Sequence, residues 1–299
     1  MKKVIVVVGP TGVGKSALAV RLAKRYQGEI ISGDAFQVYQ KLDIGTAKVN
    51  AAEMQGIKHH LIDILDYHER YTVKDFQEQA RQLIDEIHAR NHTAIICGGT
   101  GLYIKAALYD YQFKDETLDF AYHDELEKLS DEVLYKKLQQ VDPDSCRTIH
   151  PHNRKRVIRS LMMAEAGHKK SEVIAAQKHK MIIDGYLIGL TCERELLYQR
   201  INNRVDLMID AGLSEEVESL IKDADDFKLQ SMQGIGYKEY LGLYNGECDE
   251  YEVAELIKKH TRQFAKRQYT WFNNQMDINW YDIDEEYYPS LVAVLDTFK

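Results

Sequence analysis

Residues Val4 to Val8 form an unbroken β-branched run, the pattern of a central parallel strand buried on both faces, and a glycine-rich turn follows it. From Ser16 to Tyr26 the apolar positions change to helical spacing, through Ala17, Leu18, Leu22 and Ala23. Glu29 to Ser32 predicts a second short strand that ends at Gly33-Asp34. Val73 to Ala89 returns to the helical period through Phe76, Ala80, Leu83, Ile84 and Ile87. Thr93 to Cys97 then predicts a further strand running into Gly98-Gly99-Thr100-Gly101. Strands that alternate with helices and end in glycine-rich or polar loops specify an α/β fold around a parallel sheet. Such sheets bind ligands at the carboxyl ends of their strands, where these loops converge.

The alternation stops between Asp110 and Asp184, where helical segments dominate, among them Tyr122 to Leu129, Asp131 to Gln140 and Arg154 to Ala166. Tyr186 to Leu190 restores a strand and Glu193 to Met208 a helix. The pattern predicts a core from residues 1–109 and 181–299, interrupted by a helical insertion over residues 110–180. No internal repeat or low-complexity tract interrupts it.

Of 299 residues, 44% are apolar and 29% charged, with only four prolines, which excludes a disordered or collagen-like chain. A formal net charge of -8 argues, taken whole, against a nucleic-acid partner. Its distribution qualifies that inference. Asp110 to Glu132 holds nine acids against two bases, whereas Arg147 to Lys180 holds nine bases against two acids. Lys258, Lys259, Arg262, Lys266 and Arg267 cluster again among Phe264, Tyr269, Trp271 and Phe272, and Lys258, Arg262 and Lys266 share a helical face. A localised basic surface is therefore compatible with an acidic total.

Cys97, Cys146, Cys192 and Cys248 form no Cys-x-x-Cys pair, which fits a reducing cytoplasm better than a zinc ribbon or a disulfide scaffold. His150-Pro151-His152 has no further ligand at metal spacing and reads as a loop. The apolar run after Met1-Lys2-Lys3 is too short for a signal peptide, and no stretch approaches the ~18 apolar residues of a membrane span.

The chemistry concentrates after the first strand. Gly9-Pro10-Thr11-Gly12-Val13-Gly14-Lys15-Ser16 fits the phosphate-binding loop, in its required place between a buried strand and a helix. Its glycines let backbone N–H groups close around phosphate oxygens, the helix start adds positive potential and Lys15 a full charge. Ser16 would ligate a phosphate-bound Mg²⁺. A nucleotide hydrolase also carries a magnesium-binding aspartate at the end of another strand, but Ala94 to Cys97 ends in Gly98-Gly99-Thr100. Asp34 is the carboxylate nearest the loop in pattern, and suits either a general base for an acceptor group or a turn-closing residue.

Beyond the loop, seven segments follow one another in the order seen in bacterial tRNA dimethylallyltransferases. They are Asp34-Ala35-Phe36-Gln37-Val38-Tyr39, Asp43-Ile44-Gly45-Thr46-Ala47-Lys48, His59-His60-Leu61-Ile62-Asp63, Gly98-Gly99-Thr100-Gly101-Leu102-Tyr103, Arg200 to Met208, Gln233-Gly234-Ile235-Gly236-Tyr237-Lys238 and Thr261 to Gln268. The chain resembles this family over most of its length. The resemblance implies a P-loop nucleotide-kinase-like α/β core with a helical insertion that contacts tRNA. It also implies transfer of a dimethylallyl group from dimethylallyl diphosphate to the exocyclic amine of the adenosine 3′-adjacent to the anticodon, with release of diphosphate.

Roles come with the resemblance. The phosphate loop, with Lys15, Ser16, Mg²⁺ and Arg204, would hold the diphosphate. Asp34 would accept a proton from the adenine amine, and Thr100 would hydrogen-bond the donor near its bridging oxygen. Ala35, Phe36 and Gln37 would receive a base turned out of the anticodon loop, and Gln233 and Lys238 would join the tRNA contact. Lys155-Arg156-Val157-Ile158-Arg159 corresponds to a family segment that touches tRNA, and His123 stands where a family helix presents an arginine. The chain departs from the pattern there and at Ala35-Phe36, where Ser-Met is common. The implied partners are the tRNA anticodon stem-loop and dimethylallyl diphosphate, in the cytoplasm, with no membrane and no obligate protein partner. The rival readings are an adenylate isopentenyltransferase acting on free nucleotides, a small-molecule P-loop kinase, and a non-catalytic RNA-binding protein.

Overall fold

The computed structural model describes residues 2–113, 120–176, 180–283 and 286–298. In chain order it begins with β1 (Lys3–Val8), α1 (Lys15–Tyr26), β2 (Gly28–Ser32), α2 (Ala51–Met54), β3 (His59–His60), α3 (Val73–Ala89), β4 (Thr93–Cys97) and α4 (Gly101–Leu108). Helices α5 (Phe120–Glu127), α6 (Asp131–Val141), α7 (Arg154–Glu165) and α8 (Lys170–Ala176) follow. The chain then forms β5 (Asp184–Thr191), α9 (Arg194–Asp210), α10 (Leu213–Leu220), α11 (Tyr240–Tyr244), α12 (Glu250–Gln275), β6 (Asn279–Asp282) and α13 (Tyr288–Phe298). Two compact units result: Met1–Tyr109 with Met181–Lys299, and Asp110–Lys180.

The first unit is built on a parallel six-stranded sheet in the order β3-β2-β4-β1-β5-β6. Val4 to Val8 of β1 are at most 1% exposed, because the strand feeds both faces of the sheet. Val4, Val6 and Val8 enter one core with Phe76, Ile84 and Ile96, whereas Ile5 and Val7 enter the other with Leu18, Leu22 and Ile95. The register pairs Val7 with Cys97, Cys97 with Ser32 and Val8 with Gly189. The loops after β1, β2 and β4 therefore emerge at one edge.

Two strands escape a hydrophobic reading. β3 is two histidines long and pairs with Ile30 and Ile31 of β2, and β6 lies at the sheet edge with a mixed polar and aromatic sequence. Both are strands because a neighbour offers its backbone groups. His60 is a structural residue: its Nε2 lies 2.6 Å from Glu29, a buried carboxylate that Arg90 also binds.

Helix α4 positions the turn that precedes it. Arg81 of α3 donates to the carbonyls of Ala106, Ala107 and Tyr109 and so caps its C-terminus. Helix α12 starts at a capping box formed by Asp249 and Glu252 and runs for 26 residues.

The second unit packs α5, α6 and α7 around Leu126, Leu134, Leu138, Ile149, Val157, Ile158 and Leu161. Arg154 holds its helices together through Glu127 and Asp131, at 3.1 and 2.8 Å, and through the carbonyls of Leu126, Glu127 and Leu129. Asp142, 1% exposed, accepts from the hydroxyls and backbone N–H groups of both Ser145 and Ser171. The parts of the acidic and basic stretches at residues 114–119 and 177–179 lie outside the described residues.

Candidate active site

The phosphate loop turns through left-handed glycines, Gly12 at φ 84 and Gly14 at φ 101, and α1 begins at Lys15. A cavity of about 230 Å³ lies over it, lined by Gly12, Gly14, Lys15 and Ser16. Gly9 and Pro10 anchor the loop to the strand, and the Pro10 carbonyl accepts from Lys15 Nζ at 2.7 Å. Val13 is 1% exposed, so its side chain belongs to the core and only its backbone can serve a ligand. Withdrawal from water pulls the Lys15 ammonium down from 10.5 to about 8; nearby Cys97 and Asp34 oppose the shift and Arg204 reinforces it. An anion in the cavity would restore the proton and be held by it.

Asp34 leaves the end of β2 into this cavity. Its Oδ1 accepts from Phe36 N at 2.8 Å and Gln37 N at 3.3 Å, so the carboxylate does close a turn. Oδ2 takes part in neither bond, so closing the turn does not use up the carboxylate. Thr100 Oγ1 accepts from Ala35 N at 3.2 Å, which joins the turn after β4 to the turn after β2. Asp34 and Thr100 thus face a common space from two strand ends.

That space is a second cavity of about 340 Å³, walled by apolar side chains that include Phe36, Ile201, Val205, Met208, Ile257 and Phe264. Thr11, Asp34, Thr46, Ala47, Arg204 and Phe264 line both cavities. Arg204 projects from α9 to their junction, and burial lowers its pKa without threatening the charge of a guanidinium. A polar, cation-lined chamber therefore adjoins an apolar one, with a carboxylate between them.

The segment from Asp43 to Lys48 forms part of both walls. Glu216 of α10 accepts backbone N–H groups from Asp43, Ile44 and Gly45 at 2.9, 2.8 and 3.1 Å. Lys48 Nζ reaches Asp43, Asp63 and the Tyr39 carbonyl. The carbonyls of Thr46 and Ala47 both accept from Gln37 Nε2 at 3.3 Å, which fixes the orientation of that amide. Gln233 and Lys238 line the apolar cavity; Gln233 Nε2 donates to the Phe227 carbonyl at 2.6 Å.

Several residues at the site had no role in the sequence. Glu53 of α2 adds a second carboxylate to the phosphate cavity, and Gln268 of α12 lines it from the far end of the chain. The motif spacing carried a signal for Gln268 but none for its use. Lys258, Arg262 and Lys266 lie four apart along α12. Lys258 meets Glu255 of its own helix at 2.9 Å and Asp206 at 2.7 Å, and Arg262 donates to Asn202 at 2.5 Å, so two of these charges fasten α12 to α9. Arg267 remains on the cavity wall.

In the second unit, Lys155, Arg156 and Arg159 are exposed on α7. Val157 and Ile158 are 0% and 3% exposed, and this corrects their expected contact with tRNA: the helical period turns them into the core. His123 is half-buried on α5, its ring nitrogens 3.5 Å from Asp124 and 3.8 Å from Glu127. Among the described residues no three His, Cys, Asp or Glu side chains gather as a metal site, His150 and His152 included.

A family model described as IPP transferase matches residues 37–275. A tRNA dimethylallyltransferase of Bacillus cytotoxicus is 48% identical over 289 residues, covering 95% of this chain and 91% of that protein. One of Anoxybacillus flavithermus is 48% identical over 286 residues, covering 95% and 92%. Among solved structures, a tRNA isopentenylpyrophosphate transferase of Bacillus halodurans superposes with TM-score 0.75 at 40% identity, over 100% of this chain and 96% of that one. A eukaryotic dimethylallyltransferase, captured in snapshots acting on tRNA, superposes with TM-score 0.86 at 31% identity, over 100% and 79%. Agreement of family model, near-full-length relatives and solved folds on one set of residues leaves a single conclusion: the chain belongs to the IPP transferase family.

Proposed function

We infer that this protein transfers a dimethylallyl group from dimethylallyl diphosphate to the exocyclic amine of the adenosine 3′-adjacent to the anticodon in tRNA, releasing diphosphate. The observation that carries this reading is the wall shared by the two cavities, with Asp34 and Arg204 on both sides of it. A diphosphate suits the phosphate loop, and an allylic group and a base suit an apolar chamber. Nothing in a kinase reaction asks for the second chamber to be apolar at the point of transfer.

The chain's residues divide the work. The loop N–H groups, Lys15 and Arg204 bind the diphosphate and take up charge as the allylic C–O bond breaks toward it. Thr100 orients the donor near its bridging oxygen, and Asp34 takes the proton that the amine nitrogen loses as it bonds to the allylic carbon. Ser16, at the start of α1 and on the wall of the phosphate-loop cavity, would hold a Mg²⁺ that arrives with the diphosphate. Mg²⁺ there would neutralise the leaving group. Gln37, Phe36, Ala35, Gln233 and Lys238 serve the incoming base from the loops that line the site.

Lys155, Arg156 and Arg159 supply a basic face for tRNA phosphates, with His123 on the neighbouring helix of the same unit. No described helix is long and apolar enough to cross a membrane. A tRNA substrate would be met in the cytoplasm. The test is to incubate the protein with labelled dimethylallyl diphosphate and, side by side, a tRNA pool, AMP and ADP, and to analyse nucleosides by mass spectrometry. Modified adenosine in tRNA is expected; transfer to free nucleotides alone would make the protein an adenylate isopentenyltransferase.

A further inference from the structure

Gln268 is 5% exposed and belongs to α12, yet both ends of its amide are used at the phosphate site. Oε1 accepts from Thr11 N at 2.9 Å, and Nε2 donates to the Gly99 carbonyl at 2.9 Å. The orientation is unambiguous, because the flipped amide would set N–H against N–H and oxygen against oxygen. One side chain therefore spans from the loop after β1 to the turn after β4.

The turn is shaped to receive it. A Cβ at Gly99 would stand 2.2 Å from Gln268 Nε2, so this glycine and this glutamine are sterically matched. One helical turn further along α12, Trp271 lies where a Cβ on Gly101 would fall, 2.1 Å from its ring. Between the two stands Thr100, whose N donates to the Gly33 carbonyl at 3.3 Å and whose Oγ1 accepts from Ala35 N at 3.2 Å. Displacement at Gly99 would thus pass to Thr100 and to the Asp34 turn.

We propose that Gln268 is a positioning residue for the transfer, fixing the separation between the phosphate loop and the Gly99-Thr100 turn and hence where the donor's allylic carbon lies relative to Asp34. The inference rests on the function proposed above. The loop determines where the diphosphate sits and the turn where Thr100 sits; a loose gap between them misplaces the reacting carbon even when donor and tRNA both bind. A misplacement of about 1 Å costs on the order of a hundredfold in rate.

Gln268→Met keeps the length and apolar stem and loses both hydrogen bonds. On the full chain, the single-turnover transfer rate at saturating substrates is expected to fall at least ~10-fold with tRNA affinity close to wild type, beside a lowered thermal midpoint from the two backbone groups left unpaired. Gly99→Ala should act on the same gap by pushing the amide away, and Gly99→Ala combined with Gln268→Ala should be about as slow as the worse single variant. Wild-type single-turnover rates in Gln268→Met with only a lowered melting temperature would show a packing role and overturn the proposal. So would Gly99→Ala and Gln268→Ala effects that multiply. Absence of transfer by the wild type to any acceptor would remove the function itself, and the proposal with it, whereas an unimpaired Gln268→Met beside an active wild type removes the proposal alone.

Discussion

The Tyr237 hydroxyl donates to Glu216 Oε1 at 2.6 Å, beside the N–H groups that the same carboxylate accepts from Asp43, Ile44 and Gly45. Burial and the adjacent carboxylate push the phenol strongly up, so it stays a donor. Its ring also occupies the space over Gly45, where a Cβ would stand 2.6 Å away. Gly45→Ala is therefore expected to cost about 1–3 kcal/mol through overpacking, and Tyr237→Phe about 1.5–3 kcal/mol through one lost charge-assisted bond. Because the loop carbonyls orient Gln37, both variants should raise the KM for tRNA more than that for the donor. Urea denaturation and steady-state kinetics measure the two effects; unchanged tRNA KM in Gly45→Ala would separate the loop from base recognition.

Asp34→Asn tests the base directly. An asparagine oxygen can still accept from Phe36 N and Gln37 N, so the turn and tRNA binding should survive. Loss of the proton acceptor should lower the transfer rate by about 10²–10⁴-fold. Rapid-quench transfer and a tRNA gel shift on the same preparation give both numbers, and near wild-type turnover would end the proton-acceptor role.

Lys15 predicts a pH dependence with a definite sign. Burial lowers its ammonium to about 8, so it carries its charge below that pH and loses it above. Diphosphate affinity should be flat below about pH 8 and weaken as pH rises further, approaching tenfold per unit, because binding must then take up a proton. Calorimetry of inorganic diphosphate with Mg²⁺ across pH 7 to 9.5, in buffers of different ionisation enthalpy, reads the affinity and the proton uptake. Lys15→Met should remove the slope along with most of the affinity.

The basic face of α7 predicts a salt signature. Replacing Lys155, Arg156 and Arg159 by alanine should weaken tRNA binding and reduce the slope of log affinity against log salt by about two to three. The donor KM should not change. An unaltered slope would place the phosphate contacts elsewhere.

Much of the core was legible because its determinants are local. A β-branched run buried on both faces, a glycine-rich turn and helical spacing from Ser16 spell β1, the phosphate loop and α1 without reference to distant residues, the helix itself opening one residue earlier at Lys15. Thr93–Cys97 and Val73–Ala89 were legible for the same reason: their own periodicity decides their burial. Where an element depends on its neighbour the pattern was silent, as at β3, two histidines made a strand by β2.

Charge and hydrogen bonding depend on tertiary structure in the same way. The sequence determined a loop of the phosphate-binding pattern and bases clustered near residues 155 and 262, but a basic residue reads alike whether it faces water or a carboxylate. Only the fold turned Val157 and Ile158 inward and committed Lys258 to Asp206 and Glu255. Only the fold brought Glu216 to a loop some 170 residues earlier, and Gln268 to Thr11 across 257 positions. Local propensity reports what a segment prefers; the geometry of a reacting site is set by contacts that form once the sheet has brought distant segments to one edge.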